Sequence, residues 1–254
     1  MNSTEPLPAD ARRPDAPIIS DVRHLGARGA LYLLSLVHAH NTRVRLAPTP
    51  QATHALLSVL VMLGLIRIDP QSQPDSNVVA GEKIAWTYTW TQTPFTELEG
   101  CLKHYLTTDG RQSAYARSWL EIWQELMPQE VTAYLQHQLR IHQFSDVFLS
   151  ELAPILTRDE SQYSLGHWRY ACWAAVRSMA SVSLQYPGNA EILKFTLSSE
   201  LPRRLRYAQA AMEGKLCFSP SHSLPDSALT RVFSTMATDL GDTFWMSSPA
   251  LELI

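Results

Sequence analysis

The chain has 254 residues, of which 45% are hydrophobic and 18% are charged, a composition that excludes the disordered class and allows one large core or two smaller ones. Its formal net charge of −3 at pH 7 excludes the strongly basic proteins. The sequence holds no apolar run of about 18 residues, so we expect no membrane contact. Three cysteines lie far apart without a C-x-x-C pattern, which predicts reduced thiols and a cytoplasmic location.

Local signals near the N-terminus predict an arm, a helix and a short strand. Residues 1–20 are polar and rich in proline, so we expect a flexible arm. Residues 27–40 carry Leu31 and Leu34 on one apolar stripe, which predicts a helix. The run Arg43-Val44-Arg45-Leu46 predicts a short β-strand.

The next segment predicts a helix with clear ends. Thr49-Pro50 indicates the start, because a threonine hydroxyl caps the first turn and proline needs no N–H there. Apolar side chains then recur at helical spacing from Ala52 to Leu63. Gly64 predicts the end of this helix, since glycine readily adopts the left-handed conformation that follows a helix.

Two strands are predicted after this helix. Residues 65–68, Leu-Ile-Arg-Ile, are short and β-prone. Residues 69–81 are polar and contain two prolines, so we expect a loop. Residues 84–91 alternate between large apolar and small residues, which predicts a strand that pairs with the first.

The order of helix, strand, polar hairpin tip and strand resembles the second half of a winged helix-turn-helix module. The resemblance covers about residues 22–95, with 43–46 as the strand that many such modules place after their first helix. Only one of the two helices expected between those strands is found. The resemblance implies a DNA-reading or a protein-contacting module, and both alternatives stay open.

Charge bears on the DNA-reading alternative. Residues 51–110 carry three Lys and Arg against six Asp and Glu, a net charge of −3. Phosphate neutralisation supplies most non-specific affinity for DNA, so this charge argues against DNA binding by this face alone. The polar residues that the resemblance would place near DNA are Arg43, Arg45, Gln51 and His54.

The remainder of the chain, residues 96–254, is predicted to be an all-helical domain, which gives a mainly α fold with a winged-helix-like module at 21–95. Aromatic residues at helical spacing, among them Trp119, Trp123 and Trp168, predict its core. The first expected helix begins near residue 93. Four more are expected at 111–127, 128–144, 148–156 and 162–186. A further helix runs from 190 to 211 with an interruption near Leu201-Pro202, and the last covers 225–240.

A locally basic stretch is the strongest candidate for a binding surface. Residues 161–215 carry seven Lys and Arg against three Asp and Glu, a net charge of +4, whereas 111–160 and 216–254 each carry −3. A basic region in an acidic protein indicates contact with phosphates or with an acidic partner. The alternative is a solvated helix face with intramolecular ion pairs. The candidate binding residues are Arg169, Trp173, Arg177, Arg203, Arg204 and Arg206, of which the first three follow one another at i, i+4 spacing.

Catalytic motifs do not stand out. His38 with His40 and His137 with His142 have poor spacing for one metal ion, and the serine and histidine of residues 219–223 lack the Gly-x-Ser-x-Gly elbow. The sequence holds no glycine-rich phosphate loop. We therefore expect neither a metal nor a cofactor, and no catalytic activity.

Two functional hypotheses follow. The first is a non-catalytic, nucleic-acid-associated accessory protein that contacts phosphates within a larger complex. The second is a protein-interaction subunit or homo-oligomeric scaffold that does not touch nucleic acid. An enzyme whose site no motif marks is a third and weaker possibility.

Overall fold

A computed structural model describes residues 22–69, 77–78, 84–89, 95–159, 162–211 and 224–254. The fold is mainly helical, as predicted, with one small antiparallel sheet. The helices are α1 Gly26–Thr42, α2 Pro50–Met62, α3 Phe95–Thr107, α4 Ala116–Ile141, α5 Ala153–Asp159, α6 Leu165–Gln185, α7 Ala190–Ala211, α8 Ala228–Val232 and α9 Thr243–Met246, and the strands are β1 Ile66–Asp69, β2 Asn77–Val78 and β3 Ala85–Tyr88. The predicted arm, residues 1–20, lies outside the described residues.

Helix α2 begins and ends as its sequence predicts. The Thr49 side chain accepts a hydrogen bond from the Ala52 amide at 3.2 Å, and proline fills the first helical position. At the other end Gly64 adopts a φ of 69°, and the Leu65 amide donates to the Leu60 carbonyl at 3.0 Å. These bonds satisfy backbone groups that a helix end leaves open.

The sheet confirms the predicted hairpin. Strand β3 lies in the middle and pairs antiparallel with both β1 and β2, in the order β1-β3-β2. Ile66 is opposite Tyr88, and Asn77 is opposite Trp86. The end of the predicted strand, residues 90–91, and most of the predicted loop lie outside the described residues.

The strand predicted at residues 43–46 is absent, and that prediction is wrong. Arg43 adopts a left-handed φ of 57° and turns the chain out of α1. The carbonyls of Arg45 and Leu46 then accept hydrogen bonds, each of 2.9 Å, from the amides of Ala228 and Leu229 in the first turn of α8. This segment therefore caps a helix instead of pairing in a sheet.

Two predicted helix breaks at prolines are also wrong. Pro128 lies inside α4 and Pro202 lies inside α7, and both helices continue through them. A proline inside a helix costs roughly 3 kcal/mol, because it removes one hydrogen bond and crowds the preceding turn. Fully buried side chains on both sides of each proline offset this cost, at about 1.5–3 kcal/mol each; they include Met127, Val131 and Leu205.

One continuous core joins the elements. It includes Leu31 of α1, Trp86 of β3, Trp123 of α4, Trp168 of α6 and Phe244 of α9. The predicted core positions of Trp119, Trp123 and Trp168 are confirmed, with exposures of at most 1%. Residues before and after position 95 pack into the same core, so the domain division remains a prediction from sequence pattern.

Helix length and hydropathy also bear on membrane contact. Among the described residues, no helix combines the length and the apolar character needed to cross a bilayer.

Candidate functional site

Helices α6 and α7 form an antiparallel hairpin that carries most of the predicted basic residues. The chain reverses at Pro187-Gly188-Asn189, where Gly188 adopts a φ of 77° and the Asn189 side chain accepts a hydrogen bond from the Ile192 amide at 3.1 Å. Buried leucines of α7, including Leu197 and Leu201, join the core. Because the helices are antiparallel, residues equally far from Gly188 face each other.

A shallow hollow of about 230 Å³ lies on the outer side of this hairpin. We call it the α6–α7 hollow. It is lined by Tyr170, Trp173, Ala174, Arg177, Ser178, Ser181 and Arg204.

Three aromatic rings form a row beside this hollow. The centroids of Tyr170 and Trp173 are 6.1 Å apart, and those of Tyr170 and Tyr207 are also 6.1 Å apart with an angle of 28° between their planes. Trp173 and Tyr170 are partly exposed, and Tyr207 is 55% exposed. This aromatic row joins the two helices at the protein surface.

Two arginines approach the hollow from different helices. The exposed Arg177 places its guanidinium 4.8 Å from the centroid of the Trp173 ring, a cation–π contact. Arg204 reaches across from α7, with Nη2 at 3.4 Å from Ser178 Oγ. The fold thus brings together Trp173, Arg177 and Arg204 of the predicted set.

Glu200 partly neutralises this surface. Its Oε2 accepts hydrogen bonds from Arg203 Nη2 at 2.6 Å and from Arg204 Nε at 3.0 Å. Burial disfavours ionisation of Glu200, but the hydrogen bonds and charges of the two arginines outweigh it and lower the pKa of the carboxyl. The intramolecular ion pairs that the sequence allowed for this region are therefore present. One carboxylate is shared by two arginines, so a positive charge remains.

Arg169 does not belong to the surface, which corrects its predicted place beside Trp173 and Arg177. Its side chain is fully buried, and Nη2 donates to Glu130 Oε2 at 3.2 Å. Four residues along a helix turn about 40° beyond one full turn. The i, i+4 series therefore drifts around α6, from the core at Arg169 to the solvent at Arg177.

Arg203 and Arg206 lie outside the hollow but remain exposed on α7. Two large apolar side chains on the same hairpin are also exposed, Leu184 at 85% and Phe195 at 73%. The exposed surface of the hairpin therefore includes cations, aromatic rings and apolar side chains, with Arg206 and Phe195 about 160–180° around α7 from Arg204.

The residues that the winged-helix resemblance would place near DNA, Arg43, Arg45, Gln51 and His54, do not form one cluster with the basic residues of the α6–α7 hairpin. Arg43 is exposed, as are Gln51 and His54 on α2. Arg45 instead turns inward, where its Nη2 lies 3.7 Å from Glu130 and its Nη1 donates to the Pro48 carbonyl at 3.2 Å. Burial lowers the pKa of Arg45. Its position suits an internal role.

Glu130 is the centre of a buried polar cluster. Its Oε1 accepts a hydrogen bond from Thr230 Oγ1 at 2.5 Å, and its Oε2 accepts from Arg169. The Arg169 guanidinium also lies 4.1 Å from the centroid of the Trp245 ring. We call Glu130, Arg169, Arg45 and Thr230 the Glu130 cluster; it ties α4, α6, α8 and residues 43–49 together.

A larger cleft, of about 540 Å³, lies between α2 and α4. Its lining is apolar apart from a few groups such as Glu121, Gln124 and Glu125. Arg28 donates to both carboxylate oxygens of Glu125 at 2.8 Å. This cleft lacks the concentration of cations found at the hairpin. Within the described ranges, no three His, Cys, Asp or Glu side chains converge on a possible metal site.

Tyr170 and the role of Glu200 were missed by the sequence reasoning. The sequence contained part of the information needed to find Tyr170. Tyr170 lies three residues before Trp173, and Tyr170 and Tyr207 lie at almost the same distance in sequence from Gly188. Treating α6 and α7 as an antiparallel hairpin would have paired the two tyrosines.

Comparison with known proteins adds no relative: no protein-family model, no curated protein and no solved structure matches the chain.

Proposed function

We propose that the protein is a nucleic-acid-associated accessory protein that contacts phosphates through the outer face of α6 and α7, within a larger complex in the cytoplasm. The observation that carries the proposal is the meeting of Arg177 and Arg204 with Tyr170 and Trp173 in the α6–α7 hollow, where Tyr207 stacks on Tyr170 from outside the hollow. Arginines neutralise phosphates, and aromatic rings at the same place offer faces for bases. The winged-helix-like module serves in this proposal as a contact to partner proteins.

The position of the remaining cations supports this assignment. Arg203 and Arg206 add positive charge on the solvent side of α7, with Arg206 about 160° around the helix axis from Arg204. Glu200 holds Arg203 and Arg204 in place but cannot neutralise both of them. A net positive surface remains on a chain whose overall charge is negative.

Salt-dependent binding of DNA and RNA by the full chain tests the proposal. The double variant Arg177→Gln and Arg206→Gln should weaken binding and reduce the slope of log K against log salt by about 0.7–0.9 for each phosphate that the variant no longer neutralises. Arg117→Gln combined with Arg140→Gln is the matched control, because it removes the same number of charges from side chains that are 90% and 63% exposed on α4. Absence of binding to both nucleic acids at low salt rejects the proposal for this chain.

A protein-interaction subunit is the second candidate, favoured by the exposed Leu184 and Phe195. In this second candidate the two side chains belong to one apolar patch that a partner covers, since contiguous apolar patches mark such surfaces. Light scattering on the full chain tests self-association. The double variant Leu184→Ser and Phe195→Ser should then dissociate an oligomer while leaving the circular dichroism spectrum unchanged.

A further inference from the structure

We infer that the α6–α7 hollow binds an unpaired nucleobase, so that the preferred ligand is single-stranded nucleic acid. This inference rests on the proposed function and adds the class of nucleic acid to it. The observation behind it is the aromatic row, in which Trp173 and Tyr170 line the hollow and Tyr207 stacks on Tyr170 beside it.

The aromatic row is useful only to a strand whose bases are free. In a duplex the bases are stacked on each other and present their edges in the grooves, so phosphates and edges are what a protein reaches. In a single strand the flat faces of the bases are accessible and stack on aromatic side chains. Tyr207 is 55% exposed and stacks on Tyr170, so the row has a ring available at the surface.

The size of the hollow fits one ring better than a whole ligand. Its volume of about 230 Å³ lies below the 300–1,000 Å³ of common small-molecule pockets. The hollow is bounded by Arg177 on α6 and Arg204 on α7. A base in the hollow would therefore leave its flanking phosphates near cations on both helices.

The polar groups of the hollow indicate little sequence preference. Ser178 Oγ lies 3.3 Å from Glu200 Oε2 and 3.4 Å from Arg204 Nη2, so it is already engaged within the protein. Ser181 Oγ donates to the Arg177 carbonyl at 3.2 Å. Recognition would rest on stacking and charge, which every base and every phosphate offers.

Binding of matched probes to the full chain tests the inference. The probes are a short oligothymidylate, a duplex of the same length and an abasic strand of the same length. The oligothymidylate should bind most tightly, because it alone offers both accessible bases and phosphates.

A pair of tyrosine variants locates the effect. Tyr207→Leu removes a ring of the aromatic row and should weaken oligothymidylate binding by about 5- to 100-fold, with duplex binding unchanged. Tyr186→Leu is the matched control, since Tyr186 is 50% exposed at the end of α6 and lies outside the row. This control should bind like the unmodified chain. Both tyrosines are on the surface, so both variants should fold.

The outcomes separate the inference from the proposed function. Equal affinity for the oligothymidylate, the duplex and the abasic strand, or equal effects of the two tyrosine variants, overturns the inference and leaves phosphate binding standing. Binding of an oligoglutamate peptide as tightly as the oligothymidylate also overturns it, since charge alone would then explain affinity. No binding of any nucleic-acid probe at low salt rejects the proposed function itself.

Discussion

Arg169 and Arg177 lie two turns apart on α6 and have opposite surroundings. Arg169 is fully buried, paired with Glu130 and packed against Trp245. Arg177 is exposed and lies over the Trp173 ring. The difference shows that the position of an arginine around the helix axis, more than its neighbours in sequence, decides whether it stabilises the core or remains available to a ligand.

The energetic consequences of the two positions differ as well. A buried ion pair loses hydration on both sides, and removing one partner leaves the other charge without compensation in the interior. An exposed arginine keeps its water, so its removal costs little stability. Variants of the Glu130 cluster should therefore affect folding, and variants of the α6–α7 hollow should affect binding.

Breaking the Glu130 cluster should have the largest effect on the stability of the protein. Glu130→Ala should reduce the free energy of unfolding by about 3–5 kcal/mol, because it removes the carboxylate that pairs with the buried Arg169. Arg169→Ala should cost less, since Glu130 keeps Arg45 at 3.7 Å. Urea unfolding followed by circular dichroism measures the loss. Arg177→Ala, on the same helix, should cost less than about 1 kcal/mol.

A double variant sharpens this prediction. Glu130→Met combined with Arg169→Met removes both members of this ion pair and should destabilise by less than the sum of the two single changes to Met, since the interaction between them is then lost once and not twice. Additive losses would mean that the two side chains do not interact as a pair, and the comparison between core and surface arginines would then lose its basis.

The reactivity of the Cys172 thiol reports on the buried side of α6. Burial raises the pKa of this thiol to about 12, so the reactive thiolate is strongly disfavoured while Cys172 stays buried. In a variant that keeps only Cys172, labelling by a thiol reagent should be about a thousandfold slower than in a variant that keeps only the exposed Cys101.

The labelling rate of Cys172 also distinguishes the two arginines. Glu130→Ala should accelerate labelling, because the thiol reacts when the core opens, whereas Arg177→Ala should leave the rate unchanged. Rapid labelling of Cys172 in the unaltered background would contradict the fully buried position of this face of α6.

Asp226 offers a pH test of the same buried region. Burial and the nearby charge of Glu130 raise the pKa of this carboxyl, against the opposing effect of Arg169, Arg231 and Arg45. A raised carboxyl pKa adds stability at low pH, and this stability is lost as pH rises through the folded-state value. Asp226→Asn should therefore stabilise the protein at pH 7, by less than the cost of breaking the Glu130 cluster.

The pH profile provides the check on Asp226. The advantage of Asp226→Asn over the parent should shrink as the pH falls through the raised pKa of Asp226, below which the parent carboxyl is neutral as well. Chemical unfolding at several pH values measures it. A variant that is less stable than the parent at pH 7 would show that the charged carboxylate is favourable where it lies.

The parts of the fold that the sequence predicted correctly depend on local chemistry. The cap at Thr49, the end at Gly64 and the break at Pro187-Gly188-Asn189 each depend on residues within a few positions. The hairpin depends on alternation along a single strand. Such signals act before tertiary packing, so they can be recognised without it.

The errors arose where distant contacts decide the structure. Pro128 and Pro202 remain inside helices because buried side chains on both sides stabilise them. The strand expected at 43–46 is replaced by a cap on α8, far along the chain. Arg169 needed the position of Glu130, 39 residues earlier, to be assigned to the core.

The candidate site was predictable only within each helix. Trp173 and Arg177 are close because of helical spacing, which the sequence shows. The stacking of Tyr170 on Tyr207 depends on the register of the α6–α7 hairpin. The same register places Ser178 beside Glu200 and Arg204.

The smallest expected effect concerns Glu200, the carboxylate that holds Arg203 and Arg204. Glu200→Gln should cost at most about 1 kcal/mol of stability, because the ion pairs lie near the surface. The pKa of Glu200 is lowered in the folded protein, so its contribution is present above the ordinary carboxyl range and is lost as the pH falls through the folded value. The stability of Glu200→Gln and of the parent should therefore converge in acid.

Binding should respond to Glu200→Gln in the opposite direction from stability. Removing the carboxylate frees both arginines for phosphates, so affinity for nucleic acid at low salt should rise by a few fold, and its salt dependence should become steeper. Glu191→Gln is the matched control, since Glu191 pairs with Lys194 at the far end of α7 and is exposed. If Glu200→Gln weakens binding, the carboxylate acts by orienting Arg203 and Arg204, and the hollow needs that order more than it needs additional charge.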